Sequence, residues 1–365
     1  MPDADALTCE QAQARLMGLP AGATVLLLGG TDTGKTTFAL AAATALAQAG
    51  RSVALLDGDL GQSEIGPPGT VAAALAAPGG PDPIRSGRDL ETLAAYFVGA
   101  TSPARHLLET AVGLCQMARV AKKRRPALLL ADTAGWVQGP AARQLARRLA
   151  ELLLPQTVLA FARGDEVDPL LSVFAHLKSP EVRRVTPAEG VVRKSPAVRA
   201  TRRAARFAAA LEGASEITLR LDDVALWGTE LGQGEPLPHH LQQFVAGSLG
   251  VPVLYAARPT GGRLYVVVDG GRWNAGGLAA IEGHFQVRAT TIVPAERFAG
   301  LLVGLVSDRG ALLDVGLIAR LDFARRALTL HTPCRRPAAI AQVWCGSVRL
   351  RPDGLELGQI KPGEL

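Results

Sequence analysis

The 365-residue chain has only four cysteines, Cys9, Cys115, Cys334 and Cys345, and no two of them form a Cys-x-x-Cys pair. That spacing excludes a zinc ribbon or a disulfide framework and leaves the thiols as reduced packing groups. The six histidines offer no metal pattern, since His239 and His240 are adjacent rather than a helical turn apart. No uninterrupted apolar run reaches the roughly 20 residues a membrane-spanning helix needs. The opening MPDADALTCEQAQARL carries acids where a secretory leader needs a basic start, so a cytoplasmic location is expected. Lysine is also scarce: it supplies six of the 39 basic residues. A lysine at a chemically meaningful position is therefore informative.

What is present describes a globular protein, 48% hydrophobic and 20% charged, long enough for two domains. The net charge of +6 rests on arginine, which clusters at 119–125 (RVAKKRR) and across 183–206, where eight cations fall in 24 residues. Such runs suit a solvated helix face or a polyanionic partner, and charge alone leaves both open.

Up to about residue 213, short apolar runs alternate with amphipathic stretches. ATVLLLG (23–29), SVALLDGD (52–59), PALLLAD (126–132) and TVLAFAR (157–163) read as buried strands. Helical patterns cover 35–49, 90–98, 103–121, 141–154, 169–177 and 197–211. Continuous Val/Leu runs separated by helices predict an α/β fold, a parallel sheet covered on both faces. Further on, EITLRL, RLYVVVDGG, AGLLVGLVSDRG, ALTLHTP and QVWCGSVRL are strand-like and little helical pattern remains, which predicts a β-rich second domain. The expected organisation is a short N-terminal segment (1–22), an α/β domain (23–213) and a β-rich domain (214–365).

Residues 29–36, GGTDTGKT, match G-x-x-x-x-G-K-[ST] between a strand and a helix. In such a loop the amides from Gly29 through Gly30, Thr31, Asp32, Thr33 and Gly34 to Thr37 point at phosphate oxygens, aided by the helix N-terminus. Lys35 would reach the β- and γ-phosphates, and Thr36 would place a hydroxyl on Mg²⁺. The second strand ends in DGDLGQ, putting Asp57 and Asp59 at a sheet edge where α/β proteins place ligands. Asp59 is the better candidate for receiving a proton or holding metal, because Gly61 would let the chain approach a substrate.

The third strand delivers DTAGW, Asp132 to Trp136. Asp-Thr-Ala-Gly occurs in GTPases, but the Asn-Lys-x-Asp element that selects guanine is missing after the next strand, which continues FARGD. Asp132 remains a candidate metal contact through water. Trp136 is either a stacking surface for a base or a plug beneath the next helix.

Taken in order, GGTDTGKT, DGDLGQSEIGPPGT, FVGATSP (97–103) and DTAGWVQG resemble the P-loop polynucleotide 5′-hydroxyl kinases of mRNA 3′-end, tRNA and pre-ribosomal RNA processing. The resemblance spans about 23–210 and extends more loosely to 300–333. It implies a P-loop kinase domain, ATP as phosphate donor, Mg²⁺, and RNA or DNA with a 5′-hydroxyl end as acceptor. It implies that Asp59 accepts the hydroxyl proton, that Gln62 lies near the acceptor, and that Thr133 and Trp136 form a clasp on the substrate nucleotide. It also implies a lid, about 183–206, in which Arg199 and Arg203 close over the triphosphate; Arg202 and Arg206 repeat the same spacing. Asp132 departs from the asparagine many members carry. The start of the chain, about two dozen residues before the first strand, suggests a free-standing enzyme without the N-terminal β-domain of eukaryotic members. The competing expectations are a nucleotide-dependent switch or assembly ATPase with no acceptor, and a kinase of a small metabolite.

Overall fold

A computed structural model describes residues 6–361 and 363–365. The chain divides into two compact units, Met1–Arg206 and Phe207–Leu365. Among the described residues no helix is long and apolar enough to cross a membrane.

The first unit is built on β1 (Ala23–Gly29), β2 (Val53–Gly58), β3 (Thr70–Ala76), β4 (Glu91–Phe97), β5 (Leu128–Thr133), β6 (Thr157–Phe161) and β7 (Glu181–Val185). They form one sheet in the order β4-β3-β2-β5-β1-β6-β7. Strands β2, β5, β1 and β6 are mutually parallel, as their continuous apolar sequences predict, and β7 (EVRRV), which the sequence did not mark as a strand, adds in parallel beside β6. Strand β3 runs against β2, and β4 runs against β3, so the sheet is mixed at that edge. The helix expected over 90–98 is therefore a strand. LETLAAYFV has an apolar spacing that suits either state, and pairing of Phe97 with Thr70 across β3 and β4 decides it.

Successive side chains of each strand point to opposite faces, which divides the core in two. Leu26 and Leu28 of β1 join one cluster with Leu114 and Met117 of the helix Leu107–Lys122 and Leu145 and Leu149 of the helix Pro140–Leu153. Val25 and Leu27 join the other with Ala12 and Leu16 of one helix (Cys9–Met17) and Phe38, Ala42 and Leu46 of another (Lys35–Gln48). The pattern expected over 169–177 shortens to a single turn, Asp168–Leu171, and a 3₁₀ turn, Ser172–Phe174. The basic segment ends in a helix, Pro196–Ala210. Outside the main strands, Leu7 bridges Val185 in parallel, and its amide donates to the Arg184 carbonyl.

The second unit is β-rich. A seven-stranded sheet contains Ser215–Arg220, Leu301–Ser307, Ala327–Thr332 and Ile340–Leu350, at the strand-like runs in the sequence, together with Leu312–Asp322, which those runs did not include. A four-stranded sheet includes Val253–Arg258, Arg263–Val268 and Ala289–Pro294. This unit also holds two helices that the sequence reading did not anticipate, His239–Leu249 and Gly277–Phe285. Both are short, and their helicity is supported by packing of Val245, Leu249, Ile281 and Phe285 in one shared cluster.

Candidate active site

Strands β1, β5 and β2 lie side by side, and the loops at their C-terminal ends bring the sequence-predicted residues together. Gly29 ends β1, Gly34 takes a left-handed conformation, and the helix begins at Lys35. The amides of 30–36 thus face the mouth of the sheet with a helix N-terminus behind them. Lys35 is buried, and its ammonium donates to the Gly29 and Gly30 carbonyls at 2.9 Å each. Burial pulls its pKa below the ordinary lysine value, against the attraction of Asp132, Asp59 and Asp32.

Across the β2–β5 pair, Asp57 stands opposite Asp132. Both are buried. Asp57 is a structural group: its carboxylate accepts from the Asp59, Glu64 and Ile65 amides and from the Ser63 hydroxyl, and so shapes the loop after β2. Burial, with the Asp59 charge adding, raises its pKa to about 6. Asp132 accepts the Thr36 hydroxyl through Oδ2, while Oδ1 is buried with no hydrogen-bond partner among the described residues. Burial raises its pKa to about 7, although Lys35 and the Thr36 hydroxyl favour the anion. The Thr36 hydroxyl and an orphaned carboxylate oxygen therefore adjoin.

A cavity of roughly 710 Å³ opens over the loop, lined by Thr31 to Thr37, Asp59, Gln62, Lys194, Arg202 and Arg206, and it runs on to Pro83–Arg85. Asp59 lines it, and one of its oxygens, Oδ1, accepts from the Gly61 and Gln62 amides. Gly61 is required for a different reason than expected: a Cβ there would stand 2.7 Å from the Thr101 carbonyl, so its close approach is to protein, not substrate. Gln62 lines the cavity and donates to the Arg199 carbonyl at 3.1 Å.

The lid residues separate. Arg199 pairs with Asp32 of the loop at 3.2 Å, and neither it nor the half-buried Arg203 lines this cavity. Arg202 and Arg206 do. Arg206 grips the loop after β2 through the Gln62 and Ser63 carbonyls and the Glu64 carboxylate. Arg202 has no ion pair among the described residues. Sequence reasoning missed Lys194 and Arg163, the latter donating to the Asp32 and Val191 carbonyls.

Thr133 and Trp136 occupy the other flank. The Thr133 hydroxyl donates to the Leu27 carbonyl inside the sheet. Trp136 is half-buried, packs against the core, and lines a hollow of only about 20 Å³ with Gly29, Gly58 and Thr133. Between them Gly135 lies against the phosphate loop, where a Cβ would meet the Thr31 backbone at 2.6 Å.

The family model for the mRNA cleavage and polyadenylation factor CLP1 P-loop matches residues 29–213, just over half of the chain. The chain belongs to this family. Among curated proteins it is similar to a polyribonucleotide 5′-hydroxyl-kinase of Pyrococcus horikoshii, 28% identical over 94% of this chain and 90% of that protein. It is also similar to one of Methanocaldococcus jannaschii, 25% identical over 92% and 89%. The solved Clp1p–Pcf11p complex contains a chain of like fold, with a TM-score of 0.62 and 13% identity, covering 93% of this chain and 78% of that one. The P-loop family match agrees with the phosphate-loop reading, and among the described residues no cluster of three His, Cys, Asp or Glu forms a metal site.

Proposed function

We propose that the chain is an ATP-dependent polynucleotide 5′-hydroxyl kinase acting on RNA ends. The observation that carries this reading is a cavity whose walls include both the phosphate loop and Asp59 with Gln62. A donor phosphate and an acceptor hydroxyl can meet there, whereas a switch protein needs no second group beside the phosphate. Near full-length similarity to proteins named polyribonucleotide 5′-hydroxyl-kinases supports it.

In this mechanism the amides of 30–36 hold the β- and γ-phosphates, and Lys35 exchanges the Gly29 and Gly30 carbonyls for phosphate oxygens. Asp59, through its oxygen not committed to the Gly61 and Gln62 amides, takes the proton of the 5′-hydroxyl as the hydroxyl oxygen attacks the γ-phosphorus and the bond to the β–γ bridging oxygen breaks, releasing ADP. Thr36 and Asp132 fit Mg²⁺, which when bound neutralises charge on the transferred phosphoryl group. Arg202 supplies a positive charge at the mouth, with the Arg199 and Arg203 pair on the same helix. Trp136, clasp or plug, flanks the loop on the opposite side.

The test is transfer of label from γ-labelled ATP to oligonucleotides bearing a 5′-hydroxyl, RNA and DNA in parallel. Labelled 5′ ends are expected on RNA. Release of phosphate to water alone, with every oligonucleotide unlabelled, would overturn the proposal.

A further inference from the structure

Asp32 occupies the middle of the phosphate loop, in a left-handed conformation (φ 55°), with a side chain only 7% exposed. A carboxylate in a cradle for polyphosphate should weaken binding through like-charge repulsion. Here it is fully engaged elsewhere. Its Oδ2 accepts the Lys194 amide at 3.0 Å and the Arg199 guanidinium at 3.2 Å, and Oδ1 accepts the Lys194 ammonium at 3.2 Å. Arg199 also donates to the Lys194 carbonyl at 2.7 Å. From the other side Arg163 joins the Asp32 carbonyl, at 2.9 Å, to the Val191 carbonyl, at 2.7 Å. Burial alone would raise the Asp32 pKa, but the Lys194 and Arg199 contacts hold it below the usual range, so the group is a carboxylate at neutral pH.

These bonds bind residues 191–199, remote in sequence, to the rim of the phosphate loop. The segment so held forms one wall of an open hollow of roughly 610 Å³ against Gly34 and Thr37, with Val191, Val192 and Val198 on its lining. The hollow adjoins the loop on the flank away from the small cavity of Trp136.

We infer that Asp32 is a positioning residue that docks the 191–199 segment before the phosphate donor arrives, so that donor affinity depends on a carboxylate of the donor's own sign. The carboxylate brings two cations, Lys194 and Arg199, to the loop and holds apolar side chains where the nucleoside part of the donor can lie. Preorganisation of this kind removes an ordering cost from binding. The acceptor side touches this segment at one point, where the Gln62 side-chain amide donates to the Arg199 carbonyl.

The inference rests on the nucleotide-binding half of the proposed function, and its test does not require an acceptor. Asp32→Ala is compared with the unaltered protein by ATP titration and by limited trypsin digestion, with Asp32→Asn as the variant that keeps an acceptor oxygen and tolerates the left-handed backbone. The dissociation constant for ATP in Asp32→Ala should rise roughly tenfold, the scale of losing charge-assisted hydrogen bonds to a preordered segment. Cleavage after Arg193 and Lys194 should accelerate several-fold and slow again when ATP is added, and Asp32→Asn should fall between. Where kinase activity is measured, KM for ATP should rise more than KM for the oligonucleotide, which the segment reaches only through the Gln62 contact on the Arg199 carbonyl. ATP binding that is unchanged or tighter in both variants, with unaltered cleavage, would show that Asp32 merely repels phosphate and overturn the inference. Loss of label transfer by the unaltered protein, with these binding and cleavage effects intact, would instead overturn only the acceptor reading.

Discussion

Asp57 and Asp132 face each other across two parallel strands, and burial pushes both towards neutrality, to about 6 and about 7. An unfolded aspartate titrates near 3.9, so between about pH 4 and 7 the folded protein holds protons that the unfolded chain has lost. Stability should therefore fall as pH rises through that window and level off above it. The free protein is expected to melt at lower temperature at pH 8 than at pH 5.5. Asp132→Asn, which removes the charge, should narrow that difference by roughly 2–4 °C, read by calorimetry at both pH values. Equal narrowing by a surface Asp→Asn change would refute the assignment. For the chemistry, Lys35→Ala should abolish transfer and weaken ATP binding, whereas Asp59→Asn should abolish transfer with ATP still bound; retained turnover in Asp59→Asn would remove it as the base. The loop residues were readable from sequence because their chemistry is local, a lysine and glycines at fixed spacing. The roles of Asp57 as a scaffold and of Asp32 as an anchor were not, since the latter's partner lies 162 residues away.

At the level of elements, the helix Pro196–Ala210 acts on the loop after β2 through one side chain. Arg206 holds the Gln62 and Ser63 carbonyls and pairs with Glu64. Arg206→Ala should loosen that loop and raise KM for the oligonucleotide roughly tenfold, about what one charge-assisted contact set contributes, with ATP affinity little changed; a shift in ATP affinity alone would contradict this. The loop carrying Trp136 can be dissected similarly. Trp136→Ala should lower the melting temperature by roughly 4–8 °C, as expected for truncating a half-buried aromatic, and raise KM for the oligonucleotide. Trp136→Leu refills the space without a stacking face, so stability should recover while KM stays high. Recovery of both would reduce the indole to a plug. The strands flanking the phosphate loop were legible because β1, β2, β5 and β6 are unbroken apolar runs. TVAAALA (β3) and LETLAAYFV (β4) were not, because alanine-rich or evenly spaced segments suit a helix equally until a neighbouring strand supplies the hydrogen bonds.

For the molecule as a whole, the net charge of +6 and a sequence pI near 9.4 predict attraction to polyanions screened by salt. KM for an RNA oligonucleotide should rise steeply between 50 and 200 mM salt, by about 0.7 of a logarithmic unit per phosphate contact for each tenfold in salt, while kcat stays level. A flat response would mean that the acceptor is held by its terminal nucleoside alone. The β-rich character of the second unit was visible in its short strands, but its two helices were not, for they depend on packing against each other. The bridge between Leu7 and Val185 has a practical bearing. Thr186, the residue leaving β7, also donates its amide to the Leu7 carbonyl, and the chain from there leads into the segment that Asp32 holds. Any load applied to the chain at Leu7, as from a surface tether or a bulky fusion, is thereby transmitted towards residues 191–199. Immobilised or fused forms of this protein should be anchored at the opposite terminus.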